Sequence, residues 1–414
     1  MNNEIYIGAL HVTNDKNLTR VSSDVKMIFD QKITNRTFFY EVENRWSKYL
    51  VSELSDAFII AFLELAMEKG ANIYYETPAS EELIYNLETY MIPVISYNIK
   101  ELKNISLYGK MINLEMKTEG VVGTGFSGGV DSFYSVLSHR NTKFKSREVT
   151  HVMLGVNGAA MSGISEELDQ IWFEGEKERF LPITKELGVE LITVNSNISL
   201  LNDYKEYLQG GDTIVTSSFV HILRKLFGVY YWASAVRADG FKFSKNDGNL
   251  MEMFISPLVS MKGLNFVLDG EQVSRIEKVE FIADNECVQK SIDVCGELGN
   301  CGKCNKCLRT MGELYALGKL ELYKNQFPID EYLEKPWLYL ARGIGFDFAH
   351  PEFYKEIFDK MKENGKKVSL LTYFLGYCIY VPFNILRPKL KGNKICEFFY
   401  HELGLYKLFG GRKK

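Results

Sequence analysis

The sequence predicts an α/β protein built on a doubly wound, mainly parallel sheet. Two observations carry this prediction. From residue 120 onward, short apolar runs alternate with stretches whose apolar residues recur at helical spacing, which is the pattern of parallel βαβ units. The first run breaks at a Ser-Gly-Gly turn, residues 127–129, where glycine lets the backbone turn sharply and approach a ligand. The segments on either side lack this alternation.

The pattern predicts three regions. Residues 1–118 are expected to form an α+β N-terminal domain, residues 119–312 an ATP-binding domain with a cysteine knuckle, and residues 313–414 a helical C-terminal region. In the first region we predict strands at 4–12, 36–43 and 72–76, helices at 46–69 and 81–90, and an edge strand within 105–116.

In the middle region, strands are predicted after residue 120 and at 151–157, 189–195 and 229–235. Helices are predicted between them at 130–139, 166–187 and 217–227, with a break or kink before Pro182. Ligands of doubly wound sheets bind beyond the carboxyl ends of the strands. The segments 127–132, 155–157 and 194–197 are therefore expected on one rim of the sheet.

The composition is that of a globular enzyme. The 414 residues are 46% apolar and 25% charged, and the formal net charge of −4 gives no reason to expect a DNA-binding protein. The first residues, Met-Asn-Asn-Glu, have no signal-peptide pattern, and four of the seven cysteines fall within thirteen residues, which favours a metal site over disulfides. We expect a cytoplasmic protein without a transmembrane segment.

The segment 127–132, Ser-Gly-Gly-Val-Asp-Ser, has the features of a phosphate-binding turn. Gly128 and Gly129 expose backbone N–H groups at the start of a helix, and Ser127 and Ser132 supply hydroxyl donors. Asp131 would repel phosphates, so it is expected to bind Mg²⁺ or to cap the helix. The alternative is an ordinary strand-to-helix turn.

This segment resembles the PP-loop of the N-type ATP pyrophosphatase superfamily, whose motif is SGGxDS. The resemblance implies an adenine nucleotide alpha hydrolase-like fold and binding of ATP with Mg²⁺ by residues 127–132, with Val130 in the loop and the backbone near Val156 at the adenine. It also implies cleavage between the α and β phosphates, with AMP placed on a carbonyl or carboxylate oxygen. The chain has no Walker motif.

The segment 254–278 is predicted to hold substrate determinants. Within it, Arg275 and Lys278 are candidates for neutralising the charge that develops on a pyrophosphate leaving group. The alternative is that they pair with Glu271 and Glu277 on a helix surface.

Four cysteines are predicted to bind one metal ion: Cys295, Cys301, Cys304 and Cys307. Two consecutive Cys-x-x-Cys steps and an upstream thiol can close a tetrahedral Zn²⁺ site, with Gly296, Gly299 and Gly302 in the tight turns. An iron–sulfur cluster is the rival, because Cys-x-x-Cys-x-x-Cys also begins the ferredoxin pattern. That pattern continues with a fourth cysteine and a proline, whereas residues 308–311 are Leu-Arg-Thr-Met.

The PP-loop followed by this knuckle resembles 7-cyano-7-deazaguanine synthase and its relatives over residues 119–312. That family lacks a leader and a tail of this kind, and its Cys295 equivalent lies farther upstream. The resemblance implies an ATP-dependent ligase that adenylates a small molecule or nucleobase-like acceptor for attack by a nitrogen nucleophile. Ammonia would come from solution or from a partner, because Met-Asn at the start offers no N-terminal cysteine for a fused glutaminase.

Two other functions stay open: a sulfur-transfer enzyme that uses the cysteines, and a non-catalytic nucleotide-binding subunit of a larger assembly. A homo-oligomer is compatible with the sequence. In the C-terminal region, helices are predicted at 311–318, 331–342, 351–364 and 368–386. The last is an uncharged run with basic residues on both sides, which predicts a buried or partner-facing helix, with a role at a membrane surface as the alternative.

Overall fold

The computed structural model describes residues 3–157, 166–208, 213–295 and 299–390, with the backbone alone for residues 166 and 387–390. The chain forms two compact units. The first unit comprises Met1–Ser127 and Ser135–Gln272, and the second comprises Gly128–Tyr134 and Val273–Lys414. These boundaries differ from those of the three predicted domains. Residues 1–118 share the first unit with most of the predicted ATP-binding domain, and the cysteine knuckle shares the second unit with residues 313–414.

All described strands belong to the first unit. In chain order they are β1 Glu4–Asn14, β2 Leu18–Phe29, β3 Lys32–Glu43, β4 Asn72–Tyr75, β5 Ala79–Ser80, β6 Leu107–Tyr108, β7 Met111–Ile112, β8 Val121–Gly125, β9 His151–Gly155, β10 Glu190–Ser196, β11 Phe227–Ala233 and β12 Asn265–Asp269. Ten of them form one sheet in the order β12-β11-β8-β9-β10-β3-β2-β1-β4-β6, and β5 pairs with β7.

The sheet confirms the predicted α/β class and is compatible with a doubly wound fold. Strands β8 to β12 are mutually parallel and lie in the order β12-β11-β8-β9-β10. If these five strands are numbered 1 to 5 along the chain and read from β10 to β12, their order is 3-2-1-4-5, as in a Rossmann-type sheet. In such a sheet the direction of progression reverses at the first strand. Here the reversal lies beside β8, between β9 and β11.

The N-terminal strands extend this same sheet. β3 pairs with β10 in antiparallel fashion, and β2 and β1 continue outward from it. The predicted leader strands are present as β1, β3 and β4, whereas β2 and β12 were not expected. Within 105–116, only the two-residue strands β6 and β7 form.

The first unit contains six described α-helices, and a seventh, α4, spans the covalent boundary between the units. They are α1 Asp56–Lys69, α2 Glu81–Asn86, α3 Ile92–Asn98, α4 Val130–Ser138, α5 Glu166–Leu187, α6 Thr213–His221 and α7 Glu252–Val259. α1 starts ten residues later than predicted, because Asn44–Tyr49 is a 3₁₀ helix instead. α5 runs through Pro182, so the expected break is absent and the helix forgoes one backbone hydrogen bond.

The apolar core of the first unit is centred on α1. Its residues from Asp56 to Met67 are buried, so this helix has no solvent-facing stripe along most of its length. α6 packs against it and is also buried almost throughout. Gly123 in β8 is required by this packing, since a Cβ there would lie 2.4 Å from the Phe227 ring.

The second unit is helical within the described residues. Its helices are α8 Arg275–Ile282, α9 Glu286–Ser291, α10 Asn305–Leu317, α11 Asp330–Glu334, α12 Pro336–Phe346, α13 Glu352–Glu363, α14 Leu370–Tyr373 and α15 Val381–Leu390, with a π-helix, Phe374–Tyr380, joining the last two. Its core combines α8, α10, α12 and α13 around Ile276, Leu340, Tyr354 and Ile357. No helix within the described residues combines the length and the apolar composition that crossing a membrane requires.

Candidate functional site

The Ser-Gly-Gly-Val-Asp-Ser segment lies between β8 and α4. β8 is the strand beside which the sheet reverses its order, and such a reversal opens a crevice at the carboxyl ends of the strands. Gly128 has φ of +69°, a conformation that glycine adopts without strain. Within the first unit, Ser127 thus follows the strand beside which the order of the sheet reverses.

In the first unit, the predicted site residues Ser127 and Val156 follow neighbouring parallel strands. The exposed Ser127 has its carbonyl within hydrogen-bond distance, 3.5 Å, of the Arg179 guanidinium. Val156 is buried, and its N–H donates to the Val194 carbonyl at 3.2 Å. The Val156 N–H is therefore already used by the fold.

In the second unit, the predicted residues Asp131, Arg275 and Lys278 come together. The Lys278 ammonium donates to Asp131 Oδ1 and the Arg275 guanidinium to Asp131 Oδ2, each at 3.0 Å. Lys278 is almost fully buried, whereas 24% of the Asp131 side chain is exposed. Two cations thus converge on one partly accessible carboxylate.

The environment of Asp131 decides its protonation. Burial acts to raise the pKa of this carboxyl, but the charges of Lys278 and Arg275 outweigh it and hold the pKa below its ordinary value. The carboxylate is therefore ionised at neutral pH. Because both of its oxygens accept from these cations, this arrangement does not offer a free oxygen to Mg²⁺.

The remaining loop residues form the first turn of α4. The buried Ser132 hydroxyl donates to the Gly129 carbonyl at 3.0 Å, and the Phe133 N–H reaches the same carbonyl. Val130 is buried and anchors the turn. Ser132 thus closes the turn, a role that sequence reasoning had not assigned to it.

Glu313 of α10 lies behind Arg275 and was not foreseen from sequence. Its Oε1 is 3.3 Å from Arg275 Nε, and Thr310 Oγ1 lies 3.4 Å from the same guanidinium. Burial raises the pKa of Glu313 to about 7, against the opposing charges of Arg275 and Arg309. Its buried Oε2 has no hydrogen-bond partner among the described residues.

The same helix is anchored by a second ion pair. Arg309 donates twice to Asp347, at 2.8 and 2.6 Å, and both side chains are largely buried. Such two-pronged pairing fixes the orientation of the guanidinium. The first turns of α10 therefore have a fixed position against α12, and with them Thr310 and Glu313.

The helix that carries Arg275 and Lys278 begins at a complete capping box. The Ser274 hydroxyl accepts from the Glu277 N–H, and the Glu277 carboxylate accepts from the Ser274 N–H. Glu277, one of the partners considered for these cations, thus caps α8 while both cations reach Asp131.

The four predicted metal ligands form one cluster. The Sγ atoms of Cys295, Cys301, Cys304 and Cys307 all lie within 4.8 Å of one another, and this is the group of potential ligands that the described residues bring together. Two sulfur pairs, Cys295–Cys304 and Cys301–Cys307, are 3.9 Å apart. A tetrahedral Zn²⁺ with bonds of about 2.3 Å requires sulfurs about 3.8 Å apart, so the cluster fits this ion.

Backbone hydrogen bonds surround the sulfurs as a metal site requires. The N–H groups of Lys303 and Cys304 point at Cys301 Sγ, and the N–H of Cys307 points at Cys304 Sγ, each at 3.4 Å. These donors stabilise thiolates and orient the ligands. Gly299 and Gly302 have positive φ and supply the predicted turns, while Gly296 lies outside the described residues.

The thiols of this cluster interact strongly. The hydrogen bond from Cys307 lowers the pKa of Cys304 to about 5, and the hydrogen bond to Cys304 together with burial raises the pKa of Cys307. All four sulfurs can be thiolates at this spacing only if a cation is bound between them. The remaining described cysteines, Cys287 and Cys378, lie outside the cluster.

Asp293 connects the cysteine knuckle to the Ser-Gly-Gly turn. Its N–H donates to the Gly128 carbonyl at 2.9 Å, and its carboxylate accepts from the N–H groups of Cys295 and Gly299. The knuckle also supplies the N-cap of α10 through Cys304. Both sides of the Asp131 cluster, the turn and α10, thus depend on the knuckle for their position.

Comparison with protein-family models, with curated proteins and with solved structures finds no match to this chain.

Proposed function

We propose that this protein is an ATP-dependent enzyme of the PP-loop pyrophosphatase type. It would transfer AMP to a carboxylate or carbonyl oxygen of a small molecule or modified nucleobase, release pyrophosphate, and let a nitrogen nucleophile displace the AMP. The observation that carries this proposal is the placement of Ser-Gly-Gly-Val-Asp-Ser directly after the strand where the parallel order reverses.

The roles of the residues follow from their chemistry. Gly128, Gly129 and Val130 would offer N–H groups to phosphate oxygens, and Ser127 would offer an exposed hydroxyl. Val156 would border the adenine. Mg²⁺, when bound, would neutralise charge on the phosphates.

Arg275 and Lys278 would provide the positive charge on which pyrophosphate departs. Both are held by Asp131, and Arg275 is also held by Glu313, so the two cations keep their orientation before nucleotide binds. Preorganised charges of this kind stabilise a transition state without a cost for reorganisation. Asp131 is in this reading a positioning residue for two cations.

The cysteine knuckle is assigned a structural role with Zn²⁺. All four sulfurs face one centre, and the knuckle fixes Asp293 and α10, so none of the four is left over for carrying sulfur. Structural zinc sites are closed in this way. Metal analysis with a visible spectrum tests this assignment: one zinc per chain is expected, whereas iron with sulfide would favour the sulfur-transfer function.

Nucleotide chemistry is tested in two steps. Binding of ATP with Mg²⁺ is measured first by calorimetry, because it needs no acceptor. Pyrophosphate exchange into ATP is then measured with pools of carboxylic acids and nucleobases, and AMP is separated from ADP. We expect binding, and AMP but no ADP.

The variant Lys278→Met should abolish exchange while ATP binding weakens. Lys290→Met on α9 is the matched control, since Lys290 is an exposed lysine that pairs with Glu286. Absence of ATP binding by the folded, zinc-loaded protein would contradict the proposal, and binding without exchange for any acceptor would favour the non-catalytic subunit.

A further inference from the structure

The helical segment Leu370–Leu390, made of α14, the π-helix and α15, shows an apolar surface to solvent. We call it the C-terminal helical segment. Eight of its large apolar side chains are exposed, with exposed fractions from 37% for Tyr373 to 85% for Leu370. The others are Leu371, Phe374, Tyr377, Ile379, Ile385 and Leu386. The helix predicted at 368–386 therefore exists, but it is not buried within the described residues.

The segment is attached by a narrow stripe of residues. Thr372, Gly376 and Tyr380, four residues apart, are its buried positions. The Thr372 hydroxyl donates to the Trp337 carbonyl, and a Cβ on Gly376 would lie 2.6 Å from Ile344. The helix thus approaches α12 closely through Thr372 and Gly376, while side chains such as Leu370 and Phe374 are exposed. A globular helix normally has the reverse orientation.

The charge of this part of the chain is unusual. From residue 364 to residue 395 there are six lysines and arginines and no acidic residue. Residues 364–414 contain ten basic and two acidic residues, whereas the rest of the chain contains 39 basic and 51 acidic ones. A basic apolar region on an otherwise acidic protein indicates an anionic partner that also accepts apolar side chains.

We propose that the C-terminal helical segment binds a membrane surface rich in anionic phospholipid. Its apolar side chains enter the boundary between headgroups and acyl chains, and basic residues that flank it in the sequence, such as Lys367, contact the headgroups. Because one side stays packed on α12, the segment lies along the interface.

Other partners match only one of these two features. RNA would use the positive charge but not the exposed leucine and phenylalanine side chains. A second copy of the segment would use the apolar face but would bring like charges together. Residues 391–414, which lie outside the described residues, carry six basic and two acidic residues, so they add to the positive charge.

Vesicle flotation with the full chain tests the proposal. Vesicles of phosphatidylcholine alone are compared with vesicles that also contain phosphatidylglycerol, at low and high salt. We expect binding to the anionic vesicles only, weakened by salt because the headgroup contacts are screened. The double variant Leu370→Ser/Phe374→Ser should weaken binding at least tenfold, and so should Lys367→Glu combined with high salt. Leu370 and Phe374 are exposed, so the fold should persist.

The matched control is Ile171→Ser/Leu181→Ser, which removes two exposed apolar side chains from α5 of the first unit and should leave vesicle binding unchanged. Equal binding of wild type and Leu370→Ser/Phe374→Ser, or equal binding to both vesicle types, would overturn the proposal. Light scattering and RNA binding complete the test: a dimer that Leu370→Ser/Phe374→Ser dissociates, or RNA binding without vesicle binding, would also overturn it.

Discussion

Both units bury ionic groups, but they treat the charges differently. In the first unit, Lys205 pairs with Glu64 at 2.9 Å and both side chains are nearly inaccessible. Arg224 pairs with Asp56, whose carboxylate also accepts two hydrogen bonds from Ser80. Each cation meets one carboxylate.

In the second unit, the charges form an open network. Lys278 and Arg275 share Asp131, and Arg275 also meets Glu313, which keeps one buried oxygen without a hydrogen-bond partner in the described part of the chain. Asp131 is partly accessible. A buried charge that is incompletely matched costs stability.

The difference separates closed pairs of charges from an open network of charges. Closed pairs such as Lys205–Glu64 satisfy each other and need no ligand. The Asp131 network retains accessible charge and a perturbed pKa, which are features that functional sites share. The apolar core stabilises the first unit. In the second unit, the cysteine knuckle holds the elements that carry the incompletely paired charges.

Removing the knuckle should have the largest effect. Cys304→Ser removes one zinc ligand while its hydroxyl can still cap α10, and zinc in small knuckles contributes roughly 10 kcal/mol to folding. We expect zinc to be lost and the amides of the second unit to exchange rapidly with solvent, while those of β8 to β12 stay protected. Metal analysis and hydrogen exchange by mass spectrometry measure this.

Cys378→Ser is the control for that experiment, because Cys378 is an exposed cysteine outside the cluster. It should retain zinc and protection. Full protection of the second unit in zinc-free Cys304→Ser would show that the knuckle does not hold the Asp131 network, and the contrast between the units would lose its physical basis.

Removing one buried carboxylate from each unit tests the comparison directly. Asp131→Ala leaves Lys278 and Arg275 with one fewer counter-charge, and Glu64→Gln does the same to Lys205. Each should destabilise its own unit by about 3 kcal/mol, because a buried charge loses its partner. Urea unfolding followed by hydrogen exchange reports each unit separately.

Only Asp131→Ala should also change ATP binding, since its cations lose their orientation. If Glu64→Gln impaired nucleotide binding to the same extent, the network in the second unit would not be functionally distinct from the closed pair. Zinc content should be unchanged in both variants, which separates the effect on charge from loss of the knuckle.

Much of the fold and part of the site follow from the sequence. The apolar runs predict β8 to β11, and the spacing of the four cysteines predicts their cluster, since both signals are local. β12 was missed although its five residues equal the length of β8 and β9. β2 was missed because polar Thr19 and Ser23 occupy two of the buried positions of its alternation.

The Asp131 network could not be derived from sequence alone. Asp131 and Lys278 are 147 residues apart, and no local pattern links them. Arg275 and Lys278 were singled out, but for pyrophosphate and not for Asp131. Glu313 had one weak signal: it follows Thr310 by three residues, so both occupy one face of α10, where a carboxylate interrupts buried apolar residues. Folding also joined the N-terminal strands to the core sheet through β3 and β10, a pairing that depends on tertiary contacts.

Glu313 and His221 should contribute to stability with opposite dependence on pH. Glu313 binds its proton more tightly when folded, with a pKa of about 7 against about 4.5 unfolded, so its own contribution to the free energy of unfolding of the second unit should fall by about 3 kcal/mol as pH rises between these values. Zinc binding strengthens over the same range, so the contribution of Glu313 is the difference between wild type and Glu313→Gln. In the first unit, burial and Arg224 lower the pKa of His221 to about 3, so stability there should rise with pH from about 3 to 6.5.

Hydrogen exchange of each unit from pH 4.5 to pH 7 measures these slopes. Glu313→Gln should remove this contribution, so the stability of its second unit should rise more steeply with pH than in wild type, while the first unit is unchanged. Equal slopes in wild type and Glu313→Gln would show that Glu313 keeps one protonation state throughout this range.

The smallest expected effect comes from removing a helix N-cap, and it separates the orientation of Arg275 and Lys278 from the stability of the second unit. Ser274→Ala removes the N-cap of α8. Asn285→Ala removes the N-cap of α9, because the Asn285 side chain accepts from the Val288 N–H. Each should cost about 1 kcal/mol. The two variants differ in the residues next to the lost cap, because the start of α8 contains Arg275 and Lys278. Ser274→Ala should therefore weaken ATP binding beyond its effect on stability, whereas Asn285→Ala should not. Equal effects on binding would mean that the cations keep their geometry without the cap, and that Asp131 and Glu313 alone orient them.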